Sequence, residues 1–362
     1  MSKREVTKPV SGIRAIAEAL GISVATVHRA LHNRGRVSEE TRIRVLRMAE
    51  EQHYHPNLAA RDLRLNRHFR ISVHFPTTIA VFFDSLRAGI EEGAAPFRSV
   101  LDLEFHLYTR GPGRAQASLR AALEAEVHGI IAVPSNTAQM TRLVRKAREK
   151  AIPVICVSTD APESGRLTAV TPYPYYGGCM AAEVLAAGMK KKGRLVVLAG
   201  DLQNLNQTEK VRGFTNMLAR TAPGFSVSVV ETRDDPARAY AGMLRCLREM
   251  PEIGGLYVTG ANSIAALQAL REAGRLHTIP IVTTDLLPEL VPYLQDGAVK
   301  ATIYQCPEMQ GSLAIRAMYY YLMEGIAPPS SIGVIPQLVM KSNLELYLRD
   351  PAALTGKVPS AS

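Results

Sequence analysis

Between residues 71 and 304, short apolar runs alternate with amphipathic stretches of helical period, and this alternation restricts the possible folds most strongly. Apolar runs of this length are typical of strands buried on both faces, and a helix after each strand predicts a doubly wound α/β sheet. Because the alternation is too long for one such sheet, we expect two similar lobes. The carboxyl ends of their strands would line a cleft that can close. The predicted strands are 71–75, 101–107, 129–134, 153–157, 194–200, 225–231, 255–259, 279–284 and 298–304.

The formal charge of +10 is concentrated at one end of the chain. Residues 1–70 carry fourteen lysines and arginines against seven acidic residues, whereas the rest carries twenty-nine against twenty-six. A small basic segment attached to an almost neutral body predicts a module that binds a polyanion, joined to a second domain.

Several classes of protein are disfavoured. No run approaches the ~20 apolar residues of a membrane span, and the charged N-terminus lacks the apolar core of a signal peptide. We therefore expect a cytoplasmic protein without membrane contact. The cysteines, Cys156, Cys179, Cys246 and Cys306, lie far apart and read as small core residues rather than a zinc site or disulfides. No phosphate-binding loop, dinucleotide fingerprint, zinc-protease or serine-hydrolase motif occurs, which predicts a non-enzyme without cofactor.

The basic segment has the pattern of a helix-turn-helix. Ala17 supplies the small residue at which a second helix crosses the first, Gly21 supplies the turn, and Val27 supplies a branched apolar side chain for the shared core. Ser23 is placed to cap the second helix and Ser38 a third. A small bundle that binds another protein is the alternative interpretation.

Residues 16–27, 37–42 and 54–63 resemble the headpiece of the LacI/GalR family of bacterial regulators. The resemblance implies DNA contacts by Val24, Ala25, Thr26, His28, Arg29, Asn33, Asn57, Ala60 and Leu63. Of these, Val24, Ala25 and Arg29 would face base edges in the major groove, and Thr26 and Asn33 would contact phosphates.

Two positions of this headpiece need separate comment. Leu63 lies in a short helix that resembles the family's hinge helix, where an apolar wedge opens a minor-groove step. His28 stands where the family usually carries serine. It would donate to a phosphate, more strongly when protonated, or it is simply an exposed histidine.

The larger part resembles the type I periplasmic-binding-protein fold, and locally the ribose-type sugar-binding proteins. Residues 82–86, 262–267 and 301–311 carry the likeness. It implies a ligand site formed by Phe82, Phe83, Ser135, Asp160, Lys210, Asn262, Asp285 and Gln305. An aromatic ring suits the C–H face of a sugar, and carboxylate and amide groups suit its hydroxyls, so we predict a sugar or polyol.

Two departures from the resemblance bear on the ligand. Lys210 replaces the arginine usual three residues before the Gly-Phe pair, and residues 158–160 read Ser-Thr-Asp in place of a charged pair. The ligand therefore need not be a simple pentose. Burial of Phe82 and Phe83 in the core, and helix capping by Asp285, are the alternatives for those residues.

The prediction for the whole chain is an α/β protein with an N-terminal all-α helix-turn-helix headpiece. We assign residues 1–56 to the headpiece, 57–70 to the hinge helix and linker, 71–349 to a two-lobed doubly wound effector domain, and 350–362 to a tail. A homodimer would repress transcription at an inverted-repeat operator under control of a small carbohydrate, as inducer or co-repressor. A transport binding protein and a sugar-processing enzyme using Asp160 and Asp285 are the alternatives.

Overall fold

The computed structural model describes residues 13–31, 37–51, 67–77, 80–109, 111, 113–135, 137–188, 193–260 and 262–349. The chain divides into two compact units, Met1–Arg67 and His68–Ser362. The predicted hinge helix and the tail lie outside the described residues, and the finer domain boundaries stay predictions.

Among the described residues of the first unit, three helices pack around a small core. They are α1 (Ile13–Leu20), α2 (Val24–Leu31) and α3 (Glu39–Glu51). The buried side chains Ile16, Ala17, Val27 and Val45 hold them together. The turn between α1 and α2 passes through Gly21 at a φ of +64°, a conformation that favours glycine. The predicted arrangement of Ala17, Gly21 and Val27 is therefore confirmed.

Both predicted serine caps are present. The Ser23 Oγ accepts a hydrogen bond from the Thr26 backbone N–H at 3.1 Å, and the Ser38 Oγ accepts one from the Thr41 N–H at 3.2 Å. Each bond satisfies a backbone donor that has no partner inside its helix, and so fixes where α2 and α3 begin.

The second unit contains two six-stranded sheets, which define two lobes. Lobe 1 has the strand order β2-β1-β3-β4-β5-β11, and all its strands are parallel. Its strands are β1 (Phe69–Pro76), β2 (Leu101–Tyr108), β3 (Gly129–Ala132), β4 (Val154–Val157), β5 (Thr168–Thr171) and β11 (Ser331–Gly333). The helices α4 (Ala80–Ala94), α5 (Arg114–Glu124), α6 (Ala138–Glu149) and α12 (Pro307–Glu324) belong to this lobe.

Lobe 2 repeats the plan with the order β7-β6-β8-β9-β10-β12, in which β12 is antiparallel. Its strands are β6 (Arg194–Ala199), β7 (Ser226–Glu231), β8 (Ile253–Val258), β9 (Ile281–Thr284), β10 (Val299–Tyr304) and β12 (Gln337–Val339). Its helices are α7 (Pro174–Ala187), α8 (Leu205–Thr221), α9 (Pro236–Glu249), α10 (Ser263–Glu272), α11 (Val291–Gln295) and α13 (Leu344–Arg349). Both sheets place the first strand between the second and third, as doubly wound sheets do.

The chain crosses between the lobes three times. It leaves lobe 1 after β5, returns after β10, and passes again to lobe 2 between β11 and β12. At the first two crossings a non-glycine residue with positive φ precedes a proline: Tyr173 at 45° and Cys306 at 52°. Strained residues of this kind persist where the surrounding structure determines the path of the backbone.

A pair of helices packs closely in each lobe through glycines. In lobe 2, a Cβ on Gly213 of α8 would lie 1.9 Å from the Tyr175 carbonyl oxygen of α7. In lobe 1, a Cβ on Gly89 of α4 would lie 2.0 Å from the Glu308 carbonyl oxygen of α12. The equivalent contacts support the prediction of two similar lobes.

The predicted α/β alternation is confirmed, with three strands that it missed: β5, β11 and β12. All four cysteines are buried with free thiols. Within the described ranges, no helix has both the length and the apolarity required to cross a membrane.

Candidate functional site

A group of buried polar side chains collects at the carboxyl ends of the lobe 2 strands. We call it the lobe 2 cluster. It consists of Asn206, Gln207, Lys210, Asp234, Thr259, Asn262, Asp285 and Gln305. In sheets of this topology the carboxyl ends of the strands are where ligands bind. The cluster contains four of the eight predicted ligand residues, namely Lys210, Asn262, Asp285 and Gln305.

Asp285 lies directly after β9 in a left-handed conformation with a φ of 72°. Its Oδ1 accepts a hydrogen bond of 2.7 Å from Gln305 Nε2, and Gln305 Oε1 accepts one of 3.4 Å from Asn206 Nδ2. Burial raises the pKa of Asp285, while Lys210 and the bond from Gln305 act in the opposite direction. A buried carboxylate oriented by an amide is suited to accept hydrogen bonds from a ligand.

Lys210 is fully buried, and its Nζ donates to the Thr259 carbonyl oxygen at 2.9 Å. Burial lowers the pKa of Lys210 to about 8, against the attraction of Asp285 and Asp234. The side chain of Lys210 therefore mainly balances negative charge in the cluster, and its hydrogen bond to Thr259 fixes the backbone at the end of β8. Whether it also contacts ligand stays a prediction.

Asp234 and Gln207 are members of the cluster that the sequence analysis did not identify. The Asp234 Oδ2 accepts from the Asp201 N–H at 3.1 Å, and Gln207 Oε1 accepts from the Thr259 hydroxyl. Both side chains close over Gly200, where a Cβ would lie 2.1 Å from Asp234 Oδ1. The sequence carried one signal for them, which was position: Asp234 comes just after β7, and Gln207 lies in the first turn of the helix after β6.

Asn262 donates from Nδ2 to the Thr232 hydroxyl at 3.0 Å, and the Thr232 hydroxyl donates to the Ala199 carbonyl oxygen at 2.8 Å. These bonds tie the ends of β6, β7 and β8 together beside the cluster. The amide of Asn262 makes no capping bond to α10.

The lobe 1 residues of the predicted site are placed differently. Phe82 and Phe83 lie in the first turn of α4 and are 5 % and 7 % exposed. Phe83 stacks on Phe75 with ring centroids 5.7 Å apart, and Phe82 meets Phe83 edge to face. Packing against the lobe 1 core accounts for this burial, so contact of either ring with a sugar stays a prediction.

Ser135 and Asp160 are both engaged within lobe 1. Ser135 Oγ accepts from Gln116 Nε2 at 3.0 Å. Asp160 forms a two-pronged ion pair with Arg166, in which Nη2 reaches Oδ2 at 2.5 Å. The hydrogen bonds that Arg166 donates to the Asp160 carboxylate raise the pKa of Arg166. The carboxylate of Asp160 is thereby oriented and its charge is balanced.

The two lobes meet beside the lobe 2 cluster. Asn206 Nδ2 donates to the Ser158 carbonyl oxygen at 2.8 Å, and the Asn206 backbone N–H reaches the Thr159 hydroxyl at 3.4 Å. The first turn of α8 is thus joined to the end of β4 in lobe 1. A ligand at the lobe 2 cluster would lie next to this contact between the lobes.

The predicted DNA-contacting residues of α2 that can be described are on its outer face. Val24 is 46 % exposed, and Ala25 and Arg29 are also exposed. Arg29 Nη2 donates to the Thr26 hydroxyl at 3.3 Å. Exposed valine and arginine side chains on one short helix match the chemistry of base-edge contact. The side chain of His28 and the residues Asn33, Asn57, Ala60 and Leu63 lie outside the described part of the chain, so their roles stay predictions.

Comparison with known proteins gives matches to both units. Residues 12–57 match a family model described as bacterial regulatory proteins, lacI family, and residues 71–325 match one described as periplasmic binding protein domain. The sucrose operon repressor of Klebsiella pneumoniae is 29 % identical over 46 % of this chain and 53 % of that repressor. The maltose regulon regulatory protein MalI of Escherichia coli is 30 % identical over 73 % of this chain and 76 % of that protein.

Among solved structures, this chain is similar to GanP, a glucose-galactose binding protein from Geobacillus stearothermophilus. The TM-score is 0.73 at 25 % identity, over 77 % of this chain and 99 % of that one.

Proposed function

This chain belongs to the LacI family of bacterial regulatory proteins. We propose that it represses transcription by binding an operator, and that a carbohydrate effector controls the affinity of the protein for that operator. The observation that carries the proposal is the presence, in one chain, of a helix-turn-helix unit and an α/β unit with a buried polar cluster at its strand ends. The first unit supplies DNA recognition and the second supplies ligand control.

The first unit supports binding in the major groove. The predicted recognition helix α2 is anchored by Val27 and capped by Ser23, which leaves Val24 and Arg29 exposed. The guanidinium of Arg29 can donate two hydrogen bonds to O6 and N7 of guanine. Arg29 is exposed and donates to the neighbouring Thr26 hydroxyl, so part of its freedom is already restricted before DNA binds.

The second unit supports binding of a small polar molecule. Asp285, Gln305, Asn206 and Asn262 combine acceptors and donors within a cluster shielded from water, which is the chemistry that recognises hydroxyl groups. The described relatives include a repressor of a sucrose operon, and the similar solved structure is a glucose-galactose binding protein. These names support a carbohydrate as the class of effector for this chain.

We further propose a cytoplasmic homodimer that reads an inverted repeat. One headpiece contacts one half-site, so a two-fold dimer pairs naturally with a palindromic operator. A repressor must act where the chromosomal DNA is, which supports the cytoplasm.

The enzyme alternative depends on two carboxylates that are free to act on a sugar. Asp160 is held in an ion pair by Arg166, and Asp285 is held by Gln305. This engagement favours a role in binding over a role in glycoside hydrolysis, where one carboxyl group must transfer a proton.

The experiment that tests the proposal is selection of random duplex DNA by the purified full-length protein, followed by sequencing of the recovered duplexes. We expect an enriched inverted repeat, and we expect an added carbohydrate to change its recovery. Absence of enrichment at low salt, with and without a panel of sugars, would overturn the repressor proposal, because non-specific binding alone selects no sequence.

A further inference from the structure

Strand β2 forms one edge of the lobe 1 sheet. Each of its residues, Leu101–Tyr108, pairs with a residue of β1, and no other strand of the described chain pairs with its outer side. It contains no proline or lysine, which are residues that often protect a free edge. Leu107 is 53 % exposed, and Leu103 and Phe105 on the same face are half-buried. Such an edge offers unpaired backbone groups and apolar side chains to a further strand.

An open cavity of about 620 Å³ runs along the second half of this edge. The consecutive residues 105–109 line it together with Arg114, Ala117 and Ser118 of α5. The cavity therefore lies between an edge strand and a helix, where an extended chain can add to the sheet through backbone hydrogen bonds. It belongs to lobe 1 and shares no residue with the lobe 2 cluster.

The sequence of β2 is complementary to itself when its direction is reversed. Residues 103–107 read Leu-Glu-Phe-His-Leu. An antiparallel second copy centred on Phe105 therefore places leucine opposite leucine and Glu104 opposite His106. Directly opposed side chains of antiparallel strands interact, and apolar pairs and pairs of an acid with a base are favourable. Because the arrangement has a two-fold axis, each of these pairs occurs twice.

The same register adds a charge pair at each end. It places the first half of the second copy's β2 along the cavity of the first copy, with Asp102 of the second copy opposite Tyr108. These side chains lie on the α5 side of the sheet, because His74, on the same face, is hydrogen-bonded through Nδ1 to Ser118 Oγ at 2.7 Å.

Arg114 is the basic residue that meets this carboxylate. It lies one helical turn before Ser118 on α5 and lines the cavity beside Tyr108. Arg114 and Asp102 are both exposed, and within the described ranges neither forms an ion pair. A second copy therefore supplies an acidic partner to Arg114 and receives a basic partner for its Asp102.

We propose that two copies of this chain associate through antiparallel pairing of their β2 strands, with the two-fold axis at Phe105. The pairing joins the two lobe 1 sheets into one. The side chains of Leu103, Phe105 and Leu107 from both copies form one apolar strip, and its removal from water stabilises the dimer. This inference rests on the proposed homodimer, whose surface it names.

Cysteine crosslinking of the full-length protein tests the surface and the register together. Phe105→Cys places two sulfur atoms opposite each other at the axis. The Cα atoms of an antiparallel pair are about 4.5–5.5 Å apart, which is within the range of a disulfide. The four native cysteines are buried, so mild oxidation acts on the introduced thiol. We expect a covalent dimer.

The flanking leucines check the register. Leu103→Cys and Leu107→Cys chains, expressed together, should crosslink to each other, because these positions are opposed across the axis. Either variant alone should not crosslink, since its two copies of the cysteine lie four residues apart, about 13 Å along the strands. Val229→Cys is the matched control. It is 42 % exposed on β7, the equivalent edge strand of lobe 2, and should give no covalent dimer.

Charge reversal tests the ion pair without a crosslink. Arg114→Glu should raise the dissociation constant of the dimer roughly tenfold, measured by sedimentation equilibrium, because two pairs are lost in each dimer. Adding Asp102→Arg to the same chain should restore the dimer. Arg120→Glu is the control, since this arginine is exposed on α5 but does not line the cavity, and it should leave the dissociation constant unchanged.

A monomeric protein, absence of a crosslink in Phe105→Cys, or equal crosslinking of Leu107→Cys alone would each overturn the inference. If Phe105→Cys fails to fold, the paired leucine variants decide it. Operator selection is scored on the same preparations. A dimer that selects an inverted repeat without crosslinking along β2 would retain the proposed function and lose only this surface. A dimer that crosslinks as expected but selects no sequence would retain the surface and lose the repressor.

Discussion

At the residue scale, Asp285 links the end of β9 to the hydrogen-bonded chain of Gln305 and Asn206. We predict that Asp285→Asn abolishes the ligand response while operator affinity without ligand is unchanged. Asparagine is the better substitution because alanine at a φ of 72° would add about 1 kcal/mol of backbone strain. Operator binding measured with and without effector checks this, and a response equal to that of the unaltered protein would show that the ligand binds elsewhere.

His74 gives a prediction about pH. Its ring nitrogens are hydrogen-bonded to Ser72 and Ser118, and burial, aided by His106, lowers the pKa of His74 to about 3. In the unfolded chain His74 binds a proton near pH 6.5, whereas in the folded chain it stays neutral there. The free energy of unfolding therefore falls as the pH drops below 6.5. Between pH 6.5 and about pH 5 the loss should be roughly 2 kcal/mol.

The measurement is urea unfolding of the full-length protein across this pH range. His74→Gln should flatten the pH dependence by that amount, whereas the exposed His277→Gln should not. Identical pH profiles for the unaltered protein and His74→Gln would contradict the assignment.

Residues of the lobe 2 cluster were predicted where a pattern in the neighbouring sequence indicates them, and were missed where no such pattern exists. Asp285, Asn262 and Gln305 each follow a recognisable strand, and all three were predicted and lie in the lobe 2 cluster. Asp234 and Asn206 were missed because a polar residue in a loop or in the first turn of a helix is expected to be exposed to solvent. Their burial depends on the packing of segments far apart in sequence.

At the element scale, the contact between α7 and α8 depends on Gly213. A Cβ there would lie 1.9 Å from a backbone oxygen, which no rotamer change can relieve. We predict that Gly213→Ala destabilises the second unit by about 3 kcal/mol, although alanine favours a helix elsewhere. Gly188→Ala is the control, since its nearest neighbour would be at an ordinary 3.7 Å. Equal melting temperatures for the two variants would contradict the close contact.

The sequence predicts a short hinge helix around Leu63, outside the described residues. If Leu63 opens a minor-groove step, Leu63→Ala should weaken specific operator binding by about 1–3 kcal/mol and leave non-specific binding nearly unchanged. Competition of operator against random DNA at one salt concentration measures both affinities. An equal loss on both DNAs would exclude the wedge.

Strands and helices were predictable where they are long enough to show a regular pattern of apolar residues. The core strands β6 and β10 carry their own apolar signal, whereas β11 has three residues and exists because Ser331 pairs with Ala169 of β5. A pairing across about half of the chain leaves no local pattern. β12 also has only three residues, and it exists because Val339 pairs with Thr302 of β10.

At the scale of the whole molecule, the proposed function requires that effector binding in the second unit changes operator binding by the first. The contact of Asn206 with Ser158 and Thr159 joins the lobes beside the cluster, and the chain crosses between the lobes three times. Ligand that binds more strongly to one arrangement of the lobes shifts the population toward it.

This coupling leads to a quantitative prediction. The ratio of operator dissociation constants with and without effector must equal the ratio of effector dissociation constants with and without operator, because both describe one closed thermodynamic cycle. We expect a factor between about 5 and 150, corresponding to about 1–3 kcal/mol. Asn206→Ala removes the side-chain hydrogen bond to the Ser158 carbonyl oxygen of lobe 1 and should reduce both ratios together, whereas Asn216→Ala, on the exposed face of α8, should leave both unchanged. Titration of effector in the presence and absence of saturating operator gives one ratio, and operator binding at zero and saturating effector gives the other. If Asn206→Ala lowers effector affinity but leaves the ratios intact, the residue binds ligand and the coupling passes through another contact between the lobes.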